Sequence, residues 1–339
     1  MMAPPNLLEQ LSAYVPTPVA RAIFQQPYVV TEPTAHRFPA AVLFTDISGF
    51  TPLSELLSQA GPTGTEELTH LINQYFTGMI EIVQAYHGQV IKFSGDALTV
   101  LFPTQEISMP SAVRRAGECA LAMQGKMAEF ANLKISRGSA SLSMKAGIGA
   151  GSVLECNIGG VAGHWEYVVG GDPLAQVAKA EHYAQPGQII LSPSAWQEAQ
   201  SFFSGLAVPG TPGFIRLGEI LTPLPASPPE VLDWSQLEPV EAAIAEKGLR
   251  SYVPDTVKDR LGEQSDWLAE LRRITVLFVG IGGFDYETAH VAEQLQDFLQ
   301  AIQELVQRFE GSLNKVAVDD KGTVLLILFG ARLSPTRMT

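Results

Sequence analysis

The sequence contains only two cysteines, Cys119 and Cys156, among its 339 residues. Two thiols cannot build a disulfide framework, so they fit a reducing compartment, and we expect a cytoplasmic location. Residues 1–5 lack the basic start of a signal peptide. No apolar run approaches the roughly 20 residues that a membrane helix requires, so we expect no membrane partner.

Positive charge is also scarce. Lysine and arginine number 22 against 35 aspartates and glutamates, which gives a net charge of −13. An acidic surface repels a phosphate backbone, so we expect no nucleic-acid partner. The chain is 46% hydrophobic and 17% charged, an ordinary globular balance, and its length suits roughly two domains.

Apolar β-forming runs at residues 41–45, 89–93 and 97–102 predict three strands. Between the first two runs, apolar residues recur every three and four positions, which predicts one long helix. These residues are Leu68, Leu71, Ile72, Tyr75, Phe76, Met79, Ile80 and Val83. Thr63 with Glu66 three residues later predicts a capping box at the helix start. Later strands and helical crossovers extend this pattern to an α+β sheet domain.

Two aspartates stand where these strands end. Asp46 follows the first strand, and Asp96 follows Gly95 at the tip of the hairpin. If the first strand pairs antiparallel with the second hairpin arm, both carboxylates meet at one point, which suits a hard cation such as Mg²⁺. The turn at residues 47–50 opens a helix, so its N–H groups predict a phosphate cradle. Singly, each aspartate is also typical of an ordinary turn.

The strings FTDISGFT (residues 44–51) and IKFSGDAL (residues 91–98) resemble those of class III adenylate and guanylate cyclase catalytic domains. The likeness is greatest to the first domain of soluble adenylyl cyclases and of bacterial relatives with two cyclase domains. It implies a ferredoxin-like βαββαβ core in the α+β class. It further implies that Asp46 and Asp96 are catalytic and hold two Mg²⁺ or Mn²⁺ ions together with Ile47. By the same resemblance, the triphosphate of ATP binds Ile47, Ser48, Gly49, Phe50 and Thr51.

The chain also contains a long internal repeat, because residues 42–44 are echoed by residues 276–278, and residues 88–92 by 311–315. We therefore expect five segments. They are an N-terminal helical segment (1–35), a complete first cyclase domain (36–222), a proline-rich linker (223–270), a partial second cyclase domain (271–330) and an irregular tail (331–339). The resemblance implies that the two copies pair within the chain and that further domains follow.

The resemblance divides the catalytic groups between the two copies. The family's charge-stabilising helix carries an Asn and an Arg, and Ala175 and Lys179 stand at those positions in the first copy. In the second copy Gly280 replaces the first metal-binding aspartate, whereas Lys315 matches the lysine that contacts the adenine base. The second copy's own Asn and Arg would lie beyond residue 339, so we expect the isolated chain to be weak or inactive.

The same resemblance suggests a regulatory anion site for bicarbonate. Lys92 matches the family's bicarbonate-binding lysine, while the matching arginine position falls near Val177, with Lys179 as the nearest cation. Because that arginine is missing, we expect weak or absent activation by bicarbonate.

The predicted function is adenylate cyclase activity, in which the ribose 3′-oxygen of ATP attacks the α-phosphate in line, with two metal ions, and pyrophosphate leaves. Lys315 favours adenine over guanine. The alternative is a catalytically incomplete module that binds nucleotide or bicarbonate and regulates other proteins. The replacements at Ala175 and Lys179 favour this alternative, and a product assay with Mn-ATP separates the two.

Overall fold

The computed structural model describes residues 7–224, 228, 231–258, 274–319 and 322–330. The chain divides into two compact units. The sheet unit comprises Phe38–Val153 and Asp172–Val231, and the arm unit comprises Met1–Arg37, Leu154–Gly171 and Leu232–Thr339. The predicted tail at residues 331–339 and residues 259–270 of the predicted linker lie outside the described residues.

The chain contains both helices and strands throughout the described residues. The helices are α1 (Leu7–Ser12), α2 (Thr17–Gln25), α3 (Phe50–Ser58), α4 (Pro62–Ala85), α5 (Met109–Lys126), α6 (Asp172–Tyr183), α7 (Pro193–Ala199), α8 (Pro239–Arg250), α9 (Asp255–Lys258) and α10 (Val291–Arg308). The strands are β1 (Thr34–Ser48), β2 (Gln89–Ser94), β3 (Ala97–Pro103), β4 (Leu133–Ile135), β5 (Gly138–Ala140), β6 (Ser143–Gly159), β7 (Trp165–Gly170), β8 (Ile189–Leu191), β9 (Phe203–Ala207), β10 (Ile215–Ile220), β11 (Thr275–Ile281), β12 (Gly311–Asp319) and β13 (Gly322–Phe329). Within the described ranges, no helix is both long and apolar enough to cross a membrane.

The main sheet of the sheet unit has the strand order β2-β3-β1-β6-β8-β10-β9, and β4 and β5 form a separate two-stranded sheet. Strands β1 and β3 pair antiparallel, and Thr45 stands opposite Leu98. Strands β2 and β3 are also antiparallel, whereas β6 and β8 are parallel. Along the chain, β1 is followed by helices α3 and α4, then by the hairpin of β2 and β3, then by helix α5 and later by β6. The predicted α+β, antiparallel-rich, ferredoxin-like class is therefore confirmed.

The core of the sheet unit lies between this sheet and helices α4 and α5. The apolar residues of α4 that recur at helical spacing face the sheet, and Tyr75, Met79 and Val83 are fully buried there. From α5, Cys119 and Met123 join the same core. Each such side chain contributes about 1.5–3 kcal/mol by leaving water, so burial holds the helices in place.

The start of α4 differs from the prediction. The helix begins at Pro62, directly after Gly61, whose φ is +67°, and no side chain caps it. The capping box predicted at Thr63 and Glu66 is therefore wrong. Proline suits the first turn because its fixed φ is already helical and the N–H it lacks would have no intrahelical acceptor.

In the arm unit, the end of β6 and strand β7 form an antiparallel ribbon, in which Leu154 stands opposite Gly170. Strands β11, β12 and β13 form a second sheet in the order β11-β13-β12. Helix α10 buries Leu295 and Leu299 against that sheet and against Leu154 and Ile158 of the ribbon. Residues 275–329 thus pack directly on the ribbon, and they repeat the element order of β1, α4, β2 and β3.

The N-terminal helices form another core of the arm unit. Leu11 and Ile23 of α1 and α2 pack with Leu249 of α8 and with Trp165 and Trp234. Helix α8 lies inside the segment that the prolines predicted as a linker, so part of that segment is a packed helix. Its Pro239 sits in the first turn, where a proline is well tolerated. A proline at a helix start is therefore indistinguishable in the sequence from a proline in a linker.

Candidate active site

The strand register places Asp46 beside the hairpin tip. Thr45 pairs with Leu98 across β1 and β3, and Ser94 pairs with Ala97 across β2 and β3. Asp46 is one residue beyond Thr45, and Asp96 lies in the two-residue turn between Ser94 and Ala97. The structure therefore brings the two predicted carboxylates to the same end of neighbouring strands, fifty residues apart in sequence.

The surroundings of these carboxylates disfavour their charged forms. Burial raises the pKa of Asp46, the negative charges of Asp96 and Glu181 raise it further, and the net result is a pKa of about 6, although Lys145 opposes the shift. Burial also raises the pKa of Asp96, against the effect of a hydrogen bond from its own backbone N–H. Two carboxylates that repel each other in a half-buried site favour a bound cation.

The turn after Asp46 depends on one glycine. Gly49 adopts φ +95° directly before α3, and a Cβ there would lie 2.6 Å from the carbonyl oxygen of Ser141. Both the left-handed backbone and the close approach require glycine. Helix α3 opens at Phe50, and the first N–H groups of a helix have no acceptor within it. The predicted phosphate turn, Ile47 to Thr51, thus lies beside Asp46 and presents backbone donors.

Lys145 is a residue of this site that the sequence reasoning missed. It lies on β6, next to β1 in the sheet, and its Nζ is 3.9 Å from Oδ2 of Asp46. The same Nζ forms a close ion pair with Glu181 of α6. A lone lysine in the apolar segment at residues 142–150 was the available signal, since a cation in a buried strand needs a partner.

The donor set suits a metal ion that arrives with a phosphate ligand. In the described parts of the chain, no group of three or more His, Cys, Asp or Glu side chains is arranged to hold a metal. Asp46 and Asp96 alone cannot complete the shell of Mg²⁺, which is usually held by one or two carboxylates together with waters and substrate phosphates. The pair therefore fits Mg²⁺ or Mn²⁺ bound together with a nucleotide.

An apolar pocket adjoins Asp96. Its walls are apolar and aromatic side chains from α3, α4 and the residues around them; they include Ile47, Phe50, Leu53, Leu71, Tyr75, Phe76 and Leu142. The Phe93 ring meets the Phe76 ring edge to face, with 5.2 Å between centroids. Apolar walls exclude water and strengthen electrostatic interactions near the carboxylates.

Helix α6 offers no amide for a ribose at the position expected from the resemblance. Ala175 stands there, and the neighbouring Gln176 uses its side chain elsewhere. The Gln176 Oε1 accepts hydrogen bonds from Ala150 N–H (3.1 Å) and Ser192 Oγ (2.7 Å), and its Nε2 donates to Ala150 O (3.2 Å). Gln176 thus fastens α6 to β6, and Lys179 lies exposed on the same helix.

Lys92 and Lys179, the predicted anion-site residues, lie on separate elements of the sheet unit. Lys92 is on β2, directly after a register shift at residues 90–92. Helix α6 packs on β6, because a Cβ at Gly147 would meet the Val177 carbonyl oxygen at 2.3 Å. Three strand spacings separate β2 from β6, or about 14 Å. An anion site built from both lysines stays a prediction.

Lys315, the predicted base-binding residue, lies in the arm unit on β12. It is half-buried, and burial lowers the pKa of its ammonium group to about 8. A register shift between Leu313 and Lys315 precedes it on the strand. A lysine held partly out of water donates stronger hydrogen bonds than a solvated one, so it is suited to a polar ligand atom.

Comparisons with known proteins match this chain to nucleotide cyclases. The family profile described as "Adenylate and Guanylate cyclase catalytic domain" matches residues 34–204, about half of the chain. Human "Adenylate cyclase type 10" is 26% identical over 316 residues, which cover 86% of this chain and 19% of that protein. "Adenylate cyclase 1" of Rhizobium meliloti is 26% identical over 147 residues, covering 43% of this chain and 21% of that protein. The chain therefore spans about a fifth of the length of these curated relatives.

Among solved structures, the adenylyl cyclase CyaB from P. aeruginosa superposes with a TM-score of 0.46 and 23% identity. The match covers 57% of this chain and 100% of that one. The guanylyl cyclase Cya2 superposes with a TM-score of 0.45 and 25% identity, covering 57% of this chain and 98% of that one.

Proposed function

Because this chain belongs to the family of adenylate and guanylate cyclase catalytic domains, we propose that it carries the metal- and triphosphate-binding half of an adenylate cyclase site. The reaction would convert ATP to cyclic AMP and pyrophosphate. The observation that carries the proposal is the meeting of Asp46 and Asp96 beside the helix-opening turn at Gly49. A structural turn alone would not require two half-buried carboxylates with raised pKa values.

Each residue of this half has a definite task. Asp46, Asp96 and the backbone of Ile47 would hold two divalent ions, which polarise the attacking ribose 3′-oxygen and neutralise the triphosphate when bound. The backbone N–H groups from Ile47 to Thr51 would bind phosphate oxygens. Lys145 adds a positive charge 3.9 Å from Asp46. This charge would attract a phosphate group bound to metal ions at Asp46.

We further propose that residues 275–329 begin a second cyclase domain that supplies the base-binding group. Lys315 would donate to a ring nitrogen of adenine. The names of the relatives "Adenylate cyclase type 10" and "Adenylate cyclase 1" support ATP as the substrate. The intimate packing of α10 on the ribbon of β6 and β7 supports pairing of the copies within the chain.

Helix α6 lacks the charge-stabilising groups that the resemblance places on it. Ala175 has no polar group, and Lys179 lacks the planar fork with which arginine grips a phosphate. The Gln176 amide already bonds Ala150 and Ser192. Loss of one preorganised donor typically costs about 10²–10³ in rate, so the absence of two such donors should cost about 10⁴–10⁶.

A second candidate function is a module that binds nucleotide or bicarbonate and regulates partner domains without turnover. The composition of α6 favours it, since Ala175 and Lys179 cannot perform the chemistry expected at their positions. Lys92 would then serve an anion site, with Lys179 the nearest cation on α6. In this case nucleotide would still bind through Asp46 and Asp96, but no cyclic product would form in any longer version of the chain.

The metal site is tested by calorimetric titration of the chain with an ATP analogue that cannot cyclise, in the presence of Mn²⁺. Asp96→Ala should abolish metal-dependent binding because one of the two carboxylates is gone. The exposed Asp297 on α10 provides the matched control, and Asp297→Asn should bind like the wild type. Unchanged affinity in Asp96→Ala, with a native circular dichroism spectrum, would overturn the proposal.

The division of labour is tested by cyclic AMP production from Mn-ATP. The chain is compared with a version fused to the later half of a cyclase domain that carries the Asn and Arg. We expect the fused version to be faster by at least about 10⁴, the product of two missing donors. Comparable rates would contradict the assignment of halves. Nucleotide binding without product in both versions would favour the regulatory module.

A further inference from the structure

Lys145 stands between two carboxylates on different elements. Its Nζ forms a close ion pair with Glu181 and lies 3.9 Å from Asp46, so Glu181 is the nearer partner. The side chains are only 26% exposed at Lys145 and 15% exposed at Glu181. An ion pair this far out of water is screened less than a surface pair.

The position of Glu181 is fixed by the packing of α6 on β6. A Cβ at Gly147 would lie 2.8 Å from the Glu181 backbone nitrogen, so the helix backbone rests on the strand two residues beyond Lys145. Gln176, five residues earlier on α6, bonds the helix to Ala150. The backbone of Glu181 therefore cannot follow Lys145 if the lysine moves toward a ligand at Asp46.

The charges around Asp46 imply that the Lys145–Glu181 ion pair weakens the binding of a phosphate ligand. Asp46, Asp96 and Glu181 are negative, and Lys145 is the cation that opposes them in the field at Asp46. A polyphosphate that approaches Asp46 and its metals would need the Lys145 ammonium group. That ammonium must first leave Glu181. The free energy of the Lys145–Glu181 ion pair is therefore lost when phosphate binds, and phosphate binding is weakened by that amount.

We propose that Glu181 is a positioning residue that competes with phosphate for Lys145. Without ligand, Glu181 holds the ammonium group. A bound polyphosphate draws it away, and when pyrophosphate leaves, Glu181 recaptures it, which favours product release. The inference rests on the proposed binding of triphosphate at Asp46 and Asp96, and it assigns to Glu181 a role that acts through Lys145.

The test measures binding of inorganic pyrophosphate and tripolyphosphate to the full chain with Mn²⁺ by calorimetry. Glu181→Gln keeps the shape of the side chain but removes its charge, so both ligands should bind about three- to tenfold more tightly. Glu181→Asp keeps the charge and should resemble the wild type. Lys145→Met should weaken binding, because the cation is lost.

The double variant decides whether Glu181 acts through Lys145. In the Lys145→Met background, adding Glu181→Gln should change affinity less than twofold, since neighbouring residues that act through each other are not additive. Equal tightening in both backgrounds would show a general field effect and overturn the inference. Unchanged or weaker binding in Glu181→Gln alone would also overturn it, with native circular dichroism as the folding check.

Failure of this inference and failure of the proposed function give different results. If Asp96→Ala leaves Mn²⁺-dependent tripolyphosphate binding unchanged, the metal site itself is wrong, and the role of Glu181 falls with it. If Asp96→Ala abolishes that binding while Glu181→Gln has no effect, only the competition by Glu181 is wrong.

Discussion

Lys92 and Lys315 occupy the same register position in two different hairpins. In the first, Val90 pairs with Val100 and, after one unpaired residue, Lys92 pairs with Thr99. In the second, Leu313 pairs with Ile327 and, again after one unpaired residue, Lys315 pairs with Leu326. A one-residue bulge changes the face on which the following side chains emerge, so its presence before both lysines is a shared structural device.

The equivalence gives a direct test of base recognition by Lys315. Lys315→Met retains the apolar stem but removes the ammonium group, so we expect about tenfold weaker binding of an adenine nucleotide, the value of a typical hydrogen bond to a charged group. Binding of tripolyphosphate should not change, because it has no base. Calorimetry with both ligands measures the difference. Lys134 is exposed on β4, and Lys134→Met is the control. An equal loss for both ligands would contradict base recognition.

The raised pKa of Asp46 predicts how stability depends on pH. Its folded-state pKa is about 6, against an ordinary value of 3.8, so the folded protein binds more protons than the unfolded chain between these values. The free energy of unfolding should therefore fall as the pH rises from about 4 to about 6. Asp46→Asn should remove this loss and stabilise the metal-free protein at pH 7 by about 1–3 kcal/mol.

Urea unfolding of the wild type and Asp46→Asn at pH 4 and pH 7, with a chelator present, measures this effect. The two proteins should differ little at pH 4, where the aspartate is protonated, and most at pH 7. If the free energy of unfolding of the two proteins depends on pH in the same way across this range, burial and neighbouring charges do not raise the pKa of Asp46.

A buried carboxylate on α5 predicts a large loss of stability on substitution. Glu118 is 3% exposed and pairs with Nε of Arg114 at 3.1 Å. Its two carboxylate oxygens share the Leu224 N–H in a bifurcated hydrogen bond, at 2.9 and 3.0 Å. Arg114 also donates to the Thr222 carbonyl oxygen at 2.6 Å. Glu118→Ala leaves a mostly buried guanidinium and an N–H without this acceptor, so we expect a loss of about 3 kcal/mol.

Glu129 is the matched control for Glu118. It pairs with Lys126 at 2.8 Å, but its side chain is 53% exposed. Glu129→Ala should cost less than about 1 kcal/mol, as exposed ion pairs do. Urea unfolding followed by circular dichroism compares the two variants. Similar midpoints would mean that the Glu118 cluster does not fasten residues 222–224.

In the arm unit, Gln303 of α10 predicts a local effect on amide exchange. Its Oε1 accepts from the Val161 N–H at 3.2 Å, and its Nε2 donates to the His164 carbonyl oxygen at 3.0 Å. Gln303→Ala should speed exchange at Val161 by about tenfold, since one net hydrogen bond is lost. Gln300 is exposed on the same helix, and Gln300→Ala should not change exchange there. Equal exchange rates in the two variants would contradict the role of Gln303.

The strand, helix and hairpin around Asp46 and Asp96 were predictable because local periodicity and the Gly95 turn encode them. Lys145 and Glu181 were not, because one lysine in β6 and one glutamate in α6 carry no periodic signal, and only their packing makes them partners. The helix α8 was also missed, since its flanking prolines are equally typical of a linker. Sequence thus predicts the strongly periodic elements, whereas the start of α4, the helix α8 and contacts between distant elements depend on packing.

The two packed cores of the arm unit bear on how a catalytic fragment can be prepared. A fragment cut at the family boundaries, residues 34–204, would keep Trp165 but lose α1, α2 and α8, which cover it. It would also keep Leu154 and Ile158 but lose α10. Both faces of the ribbon would then meet water, and exposed apolar surface of this kind drives association. We therefore expect a fragment cut at residues 34–204 to be prone to aggregation. A fragment that begins at Leu7 and retains α10 would keep these apolar surfaces buried.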